Sequence, residues 1–178
     1  VKAVDDAGLK DNTLVTFTSD NGSHWPVDQI EKFNHRANGP WRGQKSDIHE
    51  GGHRVPFICR WAGRIKPGTQ SRQTVCLSDL LGTCAAIVGD PLPADAGPDS
   101  YNILPAMLNP DLAKPIREAT VHHSGNGIFA IRQGPWKLIQ GLGSGGFTAP
   151  AQIKPATLQT GLVVNVDAGD DDLAGGRR

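Results

Sequence analysis

A short apolar run that ends in ligand-type polar residues is the feature that most constrains this chain. Residues 14–17 (Leu-Val-Thr-Phe) have the character of a buried strand, and residues 18–22 (Thr-Ser-Asp-Asn-Gly) follow directly. In open α/β sheets, ligands bind outside the carboxyl ends of the strands. Asp20 and Asn21 would present carboxylate and amide oxygens at such an edge, and hard cations take oxygen ligands. The alternative is an ordinary turn, which Asp-Asn-Gly alone would favour.

The composition is that of a loop-rich chain without a charge bias. The 178 residues include 18 basic and 18 acidic side chains, which cancel. Nothing therefore argues for a nucleic-acid or membrane partner, and no run approaches the roughly 18 apolar residues of a spanning helix. The 22 glycines and 13 prolines indicate many loops. The three cysteines have unrelated spacings, which fit neither a disulfide framework nor a zinc site.

Further motifs follow the Asp-Asn-Gly segment in a fixed order. Residues 41–45 are Trp-Arg-Gly-Gln-Lys, and residues 49–58 are His-Glu-Gly-Gly-His-Arg-Val-Pro-Phe-Ile. The pattern continues with Trp-Ala-Gly-Arg-Ile-Lys-Pro-Gly at 61–68 and Phe-Ala-Ile-Arg-Gln-Gly-Pro-Trp-Lys-Leu-Ile at 129–139. With residues 18–22, these segments resemble the sulfatase family in type, order and spacing.

This resemblance implies a fold and a division into parts. It covers residues 1 to about 140 and implies the C-terminal part of an alkaline-phosphatase-like α/β domain, with a mixed central sheet and flanking helices. We expect this part of the catalytic domain over residues 1–112 and a small antiparallel subdomain over 113–150. Residues 151–178 depart from the family's usual ending, and we expect an atypical, poorly ordered tail there.

The resemblance also implies roles for particular side chains. Hydrolysis of a sulfate ester requires positive charge on the sulfate oxygens and an activated nucleophile. Asp20 and Asn21 match the family's metal ligands, most often to one calcium ion, and Lys45 matches the lysine that contacts sulfate and stabilises the departing oxygen. Arg42 would pair with a substrate anion or support the loop. His24 would bind substrate or assist proton transfer, or it would be a solvated loop histidine.

A pair of histidines later in the chain gives a weaker prediction. His122 and His123 precede a hairpin-like Ser-Gly-Asn-Gly turn at residues 124–127. Because neighbouring residues of a strand face opposite sides, at most one of the two can face a pocket. The resemblance suggests that this edge approaches the substrate, and we assign His123 to substrate binding.

The Glu-Gly-Gly motif at residues 50–52 is predicted to have a structural role. Gly51 and Gly52 would permit backbone geometry closed to other residues. Glu50 and Arg54 would hold the loop through charge-assisted hydrogen bonds, and the alternative is direct contact of either with the substrate.

The family's nucleophile has no counterpart in the sequence. Sulfatases carry it in a Cys-x-Pro-Ser-Arg type motif, where it becomes formylglycine, and neither the three cysteines nor any serine have those neighbours. The family's Asp-Asp pair is also unmatched, because Asp5 and Asp6 read as the solvated surface of a short helix. We expect formylglycine and the remaining calcium ligands in a missing N-terminal part, which would be this segment's partner.

Several functional readings follow from this resemblance. The first is part of a sulfuric ester hydrolase acting on a sulfated small molecule or carbohydrate, inactive as this segment alone. The alternatives are a catalytically inactive metal-binding fragment and part of a related phosphonate monoester or phosphodiester hydrolase. A periplasmic or secreted location is what the family implies, and the chain itself does not indicate one.

The local patterns predict a coarse order of elements. A long polar loop should span residues 21–52 and be functional, because structureless loops of that length are uncommon. Ser78 and Gly89 should begin and end a helix. The remaining predictions are a helix over residues 1–8 and another within 101–108, and strands over 13–18, 55–61, 120–123, 128–131 and 136–140.

Overall fold

The computed structural model describes residues 1–148 and the backbone of Leu162–Asn165, and shows a mixed α/β chain, as predicted. The chain divides into two compact units: Val1–Thr18 with Pro56–Glu118, and Ser19–Val55 with Ala119–Arg178. The element order is α1 (Lys2–Asp6), β1 (Leu14–Thr18), α2 (Val27–Phe33), α3 (Glu50–His53), β2 (Phe57–Trp61), α4 (Asp79–Val88), α5 (Leu104–Leu108), β3 (Thr120–His123), β4 (Phe129–Gln133), β5 (Trp136–Ile139) and β6 (Leu162–Asn165).

The domain boundaries at residues 112 and 150 stay a prediction. The expected tail over 151–178 lies outside the described residues, except for the backbone of β6.

The first unit contains a two-stranded antiparallel sheet. Strand β1 pairs with β2 from Leu14 opposite Trp61 to Thr18 opposite Phe57. The strand itself was predicted, but the expectation that it is buried is wrong: none of its five residues is buried, and Phe17 is 63 % exposed. A two-stranded sheet gives β1 one neighbouring strand, so this unit leaves the Phe17 side chain at its surface.

Helix α4 ends at the predicted residue, but the side chain predicted to cap its start does not do so. It ends at Gly89, whose left-handed φ of 76° accompanies an N–H bond to the Ala85 carbonyl. Ser78 precedes the helix, but its side chain makes no capping bond. Asp79, fully buried, accepts a bond from the Cys76 N–H at 2.7 Å and pairs with Arg117. The carboxylate of Asp79 thus closes this turn in place of the Ser78 hydroxyl.

The acidic pair at the start of the chain is structural, as predicted. Asp5 and Asp6 are exposed on α1, where Asp5 pairs with Arg60 at 2.8 Å and Asp6 with Lys2. All three cysteines are free thiols, two half-buried and one exposed.

The second unit is built on an antiparallel meander, which confirms the predicted strands. The strand order is β3-β4-β5-β6, with Ile131 opposite both Val121 and Leu138. These three side chains are exposed, whereas Ala130 and Ile139 are buried with Ile48 in the unit's core, against which the half-buried Ile128 packs. The sheet therefore buries one face.

The predicted structureless loop over 21–52 is wrong in part, because α2 and the start of α3 lie within it. Val27, Ile30 and Phe33 repeat every third residue along α2, and Asn34 ends that helix with a left-handed φ of 45°. The polar sequence around α2 concealed this short periodicity. None of the helices in the described part of the chain has the length and apolar character needed to cross a bilayer.

Candidate functional site

Three segments of the second unit meet at the candidate site. The segment after β1 is joined to α3 by a bond from the Gly22 N–H to the Gly52 carbonyl at 2.9 Å. It is joined to the turn before α3 by a bond from the Lys45 N–H to the Ser23 carbonyl at 3.1 Å. These two bonds bring the Asp-Asn-Gly segment beside Lys45, although the motifs are distant in sequence.

Glycines permit the close approach of these segments. A Cβ on Gly22 would overlap the carbonyl oxygen of Gly51, and one on Gly51 would overlap that of Gly43. A Cβ on Gly52 would overlap the Asp47 carbonyl. Neither Gly51 nor Gly52 has a positive φ, so the reason expected from the sequence is corrected. Space between backbones, and not an unusual conformation, requires glycine at these two positions.

Asp20 and Asn21 stand at the start of this segment with suitable donor chemistry for a hard cation. Asp20 is exposed and Asn21 is half-buried. The Ser19 hydroxyl donates to the Asn21 carbonyl at 2.9 Å, and the Asn21 Nδ2 donates to the Gly22 carbonyl at 3.1 Å. That bond uses the amide nitrogen, so the Asn21 Oδ1 is the atom suited to a cation. Within the described residues, no group of three or more His, Cys, Asp or Glu is placed to hold a metal.

The turn that carries Lys45 is held by a buried carboxylate. Asp47, fully buried, accepts bonds from the Gln44 N–H at 2.9 Å and from the Thr148 N–H at 3.0 Å. The Asp47 N–H donates back to the Gln44 carbonyl at 3.0 Å, and Ser46 has a left-handed φ of 76°. The backbone of Lys45 is thereby fixed while its half-buried side chain extends from a tight turn.

The side chain of Asn38 fastens the two segments together. Its Oδ1 accepts from the Ser23 N–H at 2.9 Å, and its Nδ2 donates to the carbonyls of Ser23 and Gly43 at 3.1 Å each. Sequence reasoning missed both Asn38 and Asp47. Turn-type residues near glycine were the available signal, but they do not reveal a partner elsewhere in the chain.

Glu50 is the centre of a buried cluster of charges. It is 3 % exposed. Its carboxylate oxygens lie 3.0 Å from the Nζ of Lys137, 3.0 Å from the Nε of Arg54 and 3.4 Å from the Nη1 of Arg132. Lys137 is 1 % exposed and also donates to the Ile48 carbonyl. Burial opposes ionisation, but these three cations lower the pKa of Glu50 below its ordinary value. The architectural role predicted for Glu50 and Arg54 is confirmed by these contacts.

Three histidines beside this cluster, of which His49 is buried and His53 and His122 are half-buried, have lowered pKa values. The rings of His53 and His122 lie 4.4 Å apart between centroids. Burial lowers the pKa of His49 and of His53 to about 4 and that of His122 to about 3, and the charge of Lys137 acts in the same direction on each. The Nε2 atoms of all three are buried without a hydrogen-bond partner in the described part of the chain. Sequence reasoning found no signal in His49 or His53.

Strand alternation separates the two adjacent histidines as predicted. His122 is half-buried against His53, whereas His123 is exposed. The Nδ1 of His123 lies 2.9 Å from the Ser124 carbonyl, and its ring lies 5.7 Å from that of Phe129. The assignment of His123 to substrate binding stays a prediction.

His24 and Arg42 both lie close to the joined segments. His24 follows Ser23 directly, is exposed, and meets the ring of Phe147 edge-on at 5.2 Å. Arg42 is exposed, and its carbonyl accepts the Gly51 N–H at 2.7 Å. The structure thus gathers Asp20, Asn21, His24, Arg42 and Lys45 on two segments bonded to each other.

Comparison with known proteins finds one family throughout. The sulfatase family model matches residues 1–89. The chain is 37 % identical over 145 residues to an N-acetylgalactosamine-6-O-sulfatase of Bacteroides thetaiotaomicron, covering 79 % of this chain and 28 % of that protein. It is 35 % identical over 133 residues to the steryl-sulfatase of Mus musculus, covering 73 % and 21 %. The chain therefore spans about a quarter of the length of the curated relatives it matches.

A solved structure supports the same relationship. It comes from work on the metabolism of multiple glycosaminoglycans by Bacteroides thetaiotaomicron and matches with a TM-score of 0.75 at 33 % identity. The match covers 96 % of this chain and 36 % of that structure.

Proposed function

This chain belongs to the sulfatase family, and we propose that it supplies part of the active site of a sulfuric ester hydrolase. The observation that carries the proposal is the hydrogen bond from Lys45 to Ser23, with that from Gly22 to Gly52. Both are backbone bonds, and together they bring the backbone that carries Lys45 against the segment that carries Asp20 and Asn21. A sulfate group bridging a cation and an ammonium would meet positive charge from two sides.

We assign Asp20 and Asn21 to one calcium ion. Their carboxylate and amide oxygens suit calcium, which takes about 6–8 oxygen ligands, so further ligands must come from other residues. When bound, the ion would supply positive charge to the sulfate oxygens. Residues outside this chain would complete the ligand set and provide the formylglycine nucleophile.

The other site residues act on the substrate and its leaving group. Lys45 holds the sulfate and stabilises the negative charge that develops on the departing oxygen. His24 lies on the same segment as the metal ligands and assists proton transfer. Arg42 and His123 contribute to substrate binding. A sulfated carbohydrate is the proposed substrate class, in line with the name of the Bacteroides relative.

Substitution of Lys45 tests the assignment directly. In the longer sulfatase that contains this segment, Lys45→Ala should lower kcat for an aryl sulfate about 100-fold, as removal of one donor to a developing oxyanion does. Lys66, exposed in the first unit, provides the matched control Lys66→Ala. Equal activity of the wild type and Lys45→Ala, measured by release of the phenol, would reject the role given to Lys45.

The 178-residue chain alone should show no turnover. It lacks the nucleophile motif, and Asp20 with Asn21 provides too few ligands for calcium. The measurement is release of phenol from an aryl sulfate by the purified chain with added calcium, beside the longer protein as a positive control. Multiple turnovers by the purified chain would contradict this prediction.

A further inference from the structure

A cleft of about 250 Å³ opens in the second unit next to the turn that carries Lys45. Gln44, the residue before Lys45, forms part of its wall. Trp25, Arg36, Trp41 and Arg42 line the remainder together with smaller residues. A group bound in this cleft would therefore lie next to the turn from which Lys45 extends.

The aromatic walls of the cleft are held in place from outside. The Trp25 Nε1 donates to the His35 carbonyl at 2.6 Å, and its ring packs against that of Phe33 at 6.0 Å. The guanidinium of Arg54 covers the Trp41 ring at 4.0 Å. These contacts fix two aromatic side chains at the cleft, and the face of the Trp41 ring opposite Arg54 and the Trp25 ring suit contact with a sugar ring.

The loop between α2 and the turn that carries Lys45 is also preformed. Asn38 bonds it to Ser23 and to Gly43, while Gly39 and Gly43 turn the chain with φ values of 59° and 85°. A binding surface that is already ordered avoids the entropic cost of ordering loops on association. The cleft has the concave form and the mixed lining of a small-molecule site.

The charge of the cleft specifies the ligand further. Arg36 and Arg42 contribute two cations, and none of the described residues that line the cleft is acidic. A guanidinium matches a carboxylate or sulfate group through paired hydrogen bonds. Arg36 is exposed, so its side chain is accessible to such a ligand.

We propose that this cleft binds an anionic sugar unit linked to the sulfated one, and that Arg36 determines specificity for its charge. The inference rests on the proposed sulfatase function and deepens it. The sulfate to be cleaved is held by Lys45, and the neighbouring sugar packs against the tryptophans with its carboxylate or second sulfate on Arg36.

The test compares substrates of different size and charge on the longer sulfatase. The substrates are an aryl sulfate, a sulfated disaccharide with a uronic acid, the same disaccharide with its carboxyl group reduced, and a disulfated disaccharide. For each charged disaccharide, Arg36→Ala should lower the ratio of its kcat/KM to that of the aryl sulfate about tenfold, the loss expected for one hydrogen-bonded charge pair. Arg36→Lys should retain part of the ratio, and the exposed control Arg72→Ala should retain all of it.

The outcomes separate this inference from the function on which it rests. A selective loss on the uronic acid substrate identifies a carboxylate as the ligand of Arg36, and a selective loss on the disulfated one identifies a sulfate. An unchanged ratio in Arg36→Ala, or an equal loss on the reduced disaccharide, would overturn the inference while the sulfatase function stands. A wild-type enzyme without activity on any of the four substrates would overturn both.

Discussion

Replacing Glu50 with alanine should lower the free energy of unfolding by about 3–5 kcal/mol, the cost of leaving a buried charge without its partner. Lys137 is 1 % exposed. It would keep its hydrogen bond to the Ile48 carbonyl but lose its ion pair with the Glu50 carboxylate, which lies 3.0 Å away. Arg54 and Arg132 would lose the same partner. Urea unfolding of the chain, followed by tryptophan fluorescence, measures the change.

A control and a second variant separate the buried cluster from a general effect of removing charge. Glu31→Ala removes a glutamate from exposed α2 and should change the free energy of unfolding by less than about 0.5 kcal/mol. The double variant Glu50→Ala/Lys137→Met removes both buried charges and should recover part of the loss. If Glu50→Ala and Glu31→Ala unfold at the same urea concentration, the cluster does not support the fold as argued.

The strands of the meander could be predicted from sequence, but their buried face could not. In β5, apolar and polar side chains alternate imperfectly, because Lys137 shares a face with Ile139. The pattern alone favours burial of Trp136 and Leu138, yet these are 54 % and 42 % exposed. The buried face is decided by Glu50, whose carboxylate makes a lysine acceptable there.

Helix α3 could not be predicted from local helix propensity either. Glycine disfavours a helix, and two of its four residues are glycine. The close approach of the Gly43 and Asp47 carbonyls requires the absence of side chains at these positions. The motifs of the site were therefore recognisable in sequence, whereas the contacts that hold them together depend on residues distant along the chain.

Acidification from pH 7.5 to pH 5 should destabilise the second unit strongly. The pKa values of His49 and His53 fall to about 4 in the folded state and that of His122 to about 3, against an ordinary value of 6.5. Below pH 6.5 the unfolded chain therefore binds more protons than the folded one, and stability that is complete above this pH is lost as the pH falls towards the folded values. At pH 5 the loss is roughly 2 kcal/mol for each histidine.

The sum for three histidines approaches the whole stability of an ordinary domain, roughly 5–15 kcal/mol, so partial unfolding by pH 5 is expected. Glu50, whose pKa is lowered, adds a further loss of stability below its ordinary pKa of 4.5.

Urea unfolding at several pH values measures how steeply the free energy of unfolding depends on pH. His122→Asn should reduce the slope between pH 6.5 and pH 5, because it removes one of the three groups that take up protons on unfolding. A wild-type stability that is flat between pH 7.5 and pH 5 would contradict the burial of neutral histidines, because the unfolded chain takes up protons in that range regardless of the folded structure.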